Sequence, residues 1–328
     1  MRPLLHPPGA VAGLLLLTLL AGFAGLAVGS LGWEPLWSGG RVADAVLWEI
    51  RMPRTAGAWL AGALLGLAGA IAQGLFRNPL ADPYLLGSAT GAAFGVAVLL
   101  MLLGVAPAAL SGWAAHLGMA GAGFAGALAA VLLTLALARG VQHTLRLLLA
   151  GVVVGMVFGA FAALVMFWVP EIMRAMQAFM LGTTGFIGWP GVAMLGVVLA
   201  VCLVLAVLSA PALDALALGE STALSLGVPL ARVRFALVAA LALATGAAVA
   251  QVGLVAFVGL MAPHAVRLVA RPTHRWLLPL SALAGGVLLL ASDVLARAVL
   301  APRELPVGVL VALGGGGYLL WLMHRRMQ

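Results

Sequence analysis

Long apolar runs, separated by short polar breaks, occupy most of the chain. They fall at about 10–31, 55–76, 84–104, 112–138, 145–168, 190–209, 233–251, 253–270, 278–299 and 306–324. Each is close to or above the roughly 20 residues that carry a helix across a hydrocarbon core. The pattern predicts an all-α integral membrane protein with about ten transmembrane helices in one domain over 1–328. The first run follows Arg2 as the core of a secretory signal would. It continues to about Leu31, beyond the about 7–15 residues of such a core, and is read as an uncleaved first span. The stretch 233–270 is nearly continuous, and Gly253, Gly259 and Pro263 mark where it breaks or kinks.

Composition strengthens this picture. Apolar residues make up 64% of the 328, and charged residues 8%, against roughly 25% in soluble domains. All 17 basic residues are arginine. Without lysine the chain cannot carry a phosphate-binding Gly-Lys-Ser/Thr loop or form a Schiff base. The one cysteine, Cys202, excludes an intrachain disulfide and a cysteine-based zinc site. The net charge of +8 does not point to nucleic acid, because the arginines sit scattered at the ends of apolar runs. With ten spans, eleven arginines fall on the side of both termini and six on the other. The arginine bias of cytoplasmic loops then places both termini in the cytoplasm.

Small residues recur every fourth position at Gly62/Gly66, Gly87/Gly91/Gly95 and Gly151/Gly155/Gly159. This spacing lets helix backbones approach closely in lipid. Five polar groups stand out. Arg51-Met52-Pro53-Arg54 enters the second span, with Pro53 suited to a first turn; the residues alone fit interfacial anchoring and an acidic partner equally. Gln73 to Pro83 carries two prolines that break a helix, with more polar side chains than a turn needs. Asp214 to Pro229 is the longest inner loop and has helical spacing, with Glu220 placed for a first turn. It lacks basic residues, which favours a protein partner over lipid. His264 has no ligand spacing around it, so no metal site is expected. Asp293 and Arg297 stand at i, i+4, the spacing of a same-face ion pair.

These motifs resemble the membrane permease subunits of bacterial ABC importers for iron chelates, haem and vitamin B12, the type II importers. The resemblance runs nearly full length. It rests on Arg51-Met52-Pro53-Arg54, Gln73 with Asn78-Pro79-Leu80-Ala81-Asp82-Pro83, and Leu218-Gly219-Glu220 with Leu226-Gly227-Val228. It continues through Phe257 to His264 with Arg267, Leu278-Pro279, Asp293 with Arg297, and Glu304-Leu305-Pro306-Val307-Gly308. The chain departs from the pattern at Gly314-Gly315-Gly316-Gly317-Tyr318 and at Val269-Ala270-Arg271.

The resemblance implies a homodimer in the bacterial inner membrane, two cytoplasmic ABC ATPase subunits and a periplasmic substrate-binding protein. It implies docking of that protein's acidic residues on Arg51, Arg54 and Arg297. It assigns ATPase coupling to Leu216, Ala217, Leu218, Gly219, Glu220, Ala223, Leu226 and Gly227, and the cytoplasmic gate to Gln142, His143, Thr144 and Leu145. The chain would hold no cofactor and no catalytic site; ATP and Mg belong to the partner ATPase. Transport would be alternating access without covalent chemistry. The form of Phe76 to Pro83 is closest to iron-chelate and haem members. Haem or a ferric chelate is the expected cargo, and cobalamin the alternative. A proton-coupled carrier would need an unpaired acid deep in the membrane, and Asp293 has Arg297 beside it. A membrane-embedded metalloprotease would need a His-Glu-x-x-His string, which does not occur.

Overall fold

The computed structural model describes residues 6–29, 32–33, 41–103, 113–138 and 144–327. Each expected span coincides with a helix. These are α1 (Pro7–Ala27), α3 (Met52–Leu75), α4 (Ser88–Leu103), α5 (Trp113–Leu137), α6 (Thr144–Trp168), α8 (Trp189–Leu208), α11 (Leu230–Val252), α12 (Val258–Val269), α13 (His274–Ala298) and α14 (Val307–Met327). Short helices fill the connections: α2 (Arg41–Val46), α7 (Met173–Leu181), α9 (Ala210–Ala217) and α10 (Glu220–Ser225). A two-residue strand pair, Val28–Gly29 with Gly32–Trp33, follows α1. Among the described residues seven helices are long and apolar enough to cross a membrane, and α4, α12 and α14 contribute shorter apolar stretches.

Local chemistry sets the breaks. Pro53 stands in the first turn of α3, where a missing N–H costs nothing. The turn after α3 satisfies its own polar groups. Asn78 Oδ1 accepts from the Leu80 N–H at 2.9 Å and Asp82 Oδ1 from the Tyr84 N–H at 2.8 Å. Burial holds the Asp82 carboxyl above the usual carboxylate range, opposed by that Tyr84 hydrogen bond. The near-continuous stretch opens at Gly253 (φ 70°) and resumes after Phe257 (φ 69°). Pro263 lies inside α12 without ending it. The break is therefore a left-handed excursion rather than a proline stop.

Helix α3 is the centre of the bundle. Its apolar window is 83% buried, against 22% in α6 and α8 and 17% in α1. Those three helices are apolar all round yet largely uncovered, which requires lipid or another apolar surface around them. The glycine series are close-approach sites. A Cβ on Gly62 or Gly66 would overlap the carbonyl oxygens of Gly285 or Ser281 in α13. Gly91 and Gly95 meet Gly126 and Ala122 in α5 in the same way, and Gly151 meets the Leu85 carbonyl.

The tightest crossing joins Gly69 of α3 to the Gly259 carbonyl of α12. Backbone cannot yield as a flexible side chain can. Gly69→Ala is expected to cost at least the about 1–3 kcal/mol of ordinary overpacking, while Gly13→Ala, with open space around it, is neutral. Cys202 is fully buried, so a thiol-reactive dye melt reports the unfolding midpoint of each variant.

Candidate functional site

Polar side chains concentrate at the two ends of the α3–α13 pair. At one end Arg54, in the first turn of α3, reaches two carboxylates. Its Nε and Nη2 donate to Asp293 Oδ1 at 3.2 and 2.9 Å, and its Nη1 and Nη2 donate to Glu304 Oε1 and Oε2 at 3.0 and 2.9 Å. Asp293 is fully buried in α13 and also accepts from the Thr184 hydroxyl, in the loop after α7. Arg297, one turn on, pairs with Asp293 Oδ2 at 2.7 Å. Its Nη1 donates to the Gly25 and Val28 carbonyls at 2.9 and 2.6 Å.

Two guanidinium groups and two carboxylates thus neutralise each other, and the cluster ties α1, α3, α13 and the chain before α14 together. The i, i+4 pair of Asp293 and Arg297 is present as expected. Neither arginine lies open: Arg54 is 9% and Arg297 1% exposed. The most exposed member is Glu304, with 33% of its side chain accessible. Arg51, half-buried beside the cluster, donates to the Leu26 carbonyl at 3.1 Å. Of the three arginines to which the resemblance assigns docking, Arg54 and Arg297 are thus buried by this fold. The burial reflects the company of Asp293 and Glu304, because an unpaired charge in an apolar bundle is costly.

At the opposite end α9 and α10 form a short helical hairpin. Gly219 provides the turn at φ 120°, a conformation that side-chain-bearing residues rarely adopt. Leu216 and Ala223 are buried and hold the hairpin down, while Leu218, Leu224 and Leu226 are exposed. Ala217 and Gly227 are exposed as well, and Gly219 and Glu220 half-buried. The hairpin is fastened by charge. Glu220 pairs at 2.5 Å with Arg234 of α11, itself 4% exposed. Asp214 Oδ1 accepts from the His274 backbone N–H at 3.1 Å and lies 2.6 Å from its ring Nδ1. Sequence reasoning missed both partners, because Arg234 reads as one of many loop arginines and His274 lies 60 residues from Asp214.

Of the expected gate, Gln142 and His143 lie outside the described residues; Thr144 opens α6, and Leu145 is 69% exposed. The surplus polarity of Gln73 to Pro83 is accounted for. Asn78 and Asp82 cap turns, and Gln73, buried in α3, accepts from Arg267 and donates to the Leu260 carbonyl at 3.4 Å. His264 packs edge-on against Tyr318 at 5.6 Å.

Comparison with known proteins gives this two-ended arrangement a context. The FecCD transport family matches residues 11–325. The vitamin B12 import system permease protein BtuC of Salmonella typhimurium is 40% identical over 310 residues, covering 94% of this chain and 92% of that protein. The hemin transport system permease protein HmuU of Yersinia pestis is 38% identical over 322 residues, covering 96% and 95%. Among solved structures, a metal-chelate type ABC transporter in an inward-facing conformation superposes with a TM-score of 0.86 at 26% identity, covering 97% of this chain and 99% of that one.

Proposed function

The chain belongs to the FecCD transport family and is a multi-pass permease of an ABC importer; from that premise we propose that it moves a large metal chelate inward, as one half of a homodimer. The partners are two cytoplasmic ATPases and a periplasmic binding protein, with both termini in the cytoplasm. The cargo class is haem, a ferric chelate or cobalamin. The near-full-length match carries the reading: relatives at 40% and 38% identity are named for vitamin B12 and for hemin. The two figures are too close to favour the haem or ferric-chelate expectation over cobalamin. Relatives named as permease proteins support a subunit without a catalytic site of its own. Among the described residues two charged clusters hold the bundle's ends, and the fully buried acid Asp293 is held by two guanidinium groups. That commitment weighs against a proton-coupled carrier.

In this reading the Arg54 end faces the periplasm, and Arg51, Arg54 and Arg297 recognise acidic residues of the binding protein once docking opens the cluster that buries Arg54 and Arg297. The α9–α10 hairpin, from Leu216 to Gly227, faces the ATPase, and residues 142–145 form the gate. A docking carboxylate must then share Arg54 with Glu304, which already grips it through both oxygens. Glu304→Gln removes that competing charge and is expected to tighten docking several-fold, read as the dissociation constant of the binding protein on permease–ATPase complexes in nanodiscs. Unchanged or weaker binding would show that Arg54 does not receive the partner's acids.

The cargo is tested by ATPase stimulation. The complex is given its binding protein loaded in turn with haem, a ferric siderophore or cobalamin. Stimulation by one of the three assigns the cargo; stimulation by none overturns the proposed class.

A further inference from the structure

Helix α13 begins without a cap of its own. Thr273 occupies the capping position but makes no side-chain bond to the first turn. The acceptor comes from another element: Asp214 Oδ1 of α9 takes the His274 N–H and faces the His274 ring. A carboxylate at a helix N-terminus is favoured by the helix dipole as well as by the hydrogen bond. One carboxylate oxygen thus adds a directional polar bond between the hairpin and the base of α13, beside the packing of the buried Leu213 and Leu216.

That base is continuous with the far cluster. Gly74, near the end of α3, lies where a Cβ would touch His274 Nε2 at 3.0 Å and Leu213 at 3.2 Å. Midway, Gly62 and Gly66 of α3 rest directly on the backbone of Gly285 and Ser281. Contacts of backbone on backbone leave no side chain to give way, so α3 cannot slide along α13 without separating from it. At the other end Arg54 of α3 is bound to Asp293 of α13. The pair is therefore pinned at both ends and at its waist. Over the 25 residues of α13 this body spans about 37 Å at 1.5 Å per residue.

We propose that Asp214 and His274 form the joint through which movement of the ATPase-facing hairpin is delivered, along the α3–α13 body, to the Arg54–Asp293–Arg297 cluster. This rests on the importer reading above. Asp214 and His274 are positioning residues; neither touches cargo or nucleotide in this scheme. Coupling between the two ends is reciprocal by thermodynamic necessity. Where hairpin movement reaches the cluster, nucleotide and binding protein change each other's affinity by the same factor, and the joint carries that change.

The test measures the dissociation constant of the binding protein on nanodisc-embedded permease–ATPase complexes, with and without a non-hydrolysable ATP analogue. For the unaltered complex the analogue is expected to shift it about fivefold or more, the lower range of allosteric coupling. In Asp214→Ala the shift collapses towards one, and in His274→Ala, which loses the ring contact but keeps the backbone N–H that Asp214 accepts, it falls in part, while the nucleotide-free constant of both stays within about twofold. The double variant is no worse than Asp214→Ala. Asp214→Asn keeps an acceptor for the His274 N–H and retains most of the shift.

A full shift in both alanine variants would overturn the proposal. So would loss of ATPase from the purified alanine complexes, which would make the pair an attachment point. A shift of one in the unaltered complex would leave nothing for the joint to carry. Absence of any binding-protein docking would instead strike at the importer reading itself.

Discussion

Asp293→Ala is expected to be the most damaging single substitution at the Arg54 end. The carboxylate is fully buried and serves Arg54, Arg297 and Thr184 at once. Its removal strands the fully buried Arg297 beside one remaining acid, Glu304, which is bound to Arg54 rather than to Arg297. Breaking a buried ion pair from one side typically costs about 3–5 kcal/mol, against a total stability of about 5–15 kcal/mol for a typical domain. The thiol-dye melt on Cys202 should show a large fall in midpoint and a low yield of folded protein. Asp293→Asn keeps an oxygen for Thr184 and Arg54 and should fall between the two. If Asp293→Ala melted like the unaltered protein, the cluster would not be what holds α1, α3 and α13 together.

The second large effect is expected at the opposite end and without damage to the fold. Leu218 and Leu226 are 71% and 65% exposed, and exposed substitutions usually change stability by less than about 0.5 kcal/mol. Charges introduced at the centre of an apolar contact cost the interface far more, about 2 kcal/mol or above where the residue is an anchor. The Leu218→Glu/Leu226→Glu double variant should melt normally yet retain the ATPase at least about tenfold less tightly. Co-purification and surface binding of the ATPase read this directly. Leu216 and Ala223 give the contrast, because they are buried and their substitution should lower the midpoint as well. Normal ATPase retention by the double variant would remove the hairpin from the interface.

The bundle was largely legible because span length and glycine spacing are local signals. All ten apolar runs became helices, and Gly62/Gly66 and Gly91/Gly95 became backbone contacts. The pairing of Asp293 with Arg297 was legible for the same reason, since one helical turn separates them. What escaped was set by contacts distant in sequence. Arg54 finds Glu304 across 250 positions, and His274 finds Asp214 across 60. Nothing in the local pattern distinguishes an arginine that faces water from one that will meet two carboxylates. Hence the burial of Arg54 beside Glu304 could not be read from its surroundings in the chain. The hairpin fell between these cases: Glu220 announced the start of α10, whereas Ser209 and Pro211, at the cap and first turn of α9, adjoin the 190–209 run and read as its end. Short α7 was missed because nine residues between two spans read as a loop.

The claim that this chain is the permease of an ATP-driven importer is tested most directly by uptake into proteoliposomes. Permease, ATPase and binding protein are reconstituted together and offered haem, a ferric siderophore and cobalamin in turn. One of these is expected to accumulate in a manner that requires both ATP and the binding protein and that an imposed proton gradient does not replace. Uptake that follows a proton gradient and ignores ATP would contradict it, and would make Asp293 a proton carrier rather than a post between two arginines.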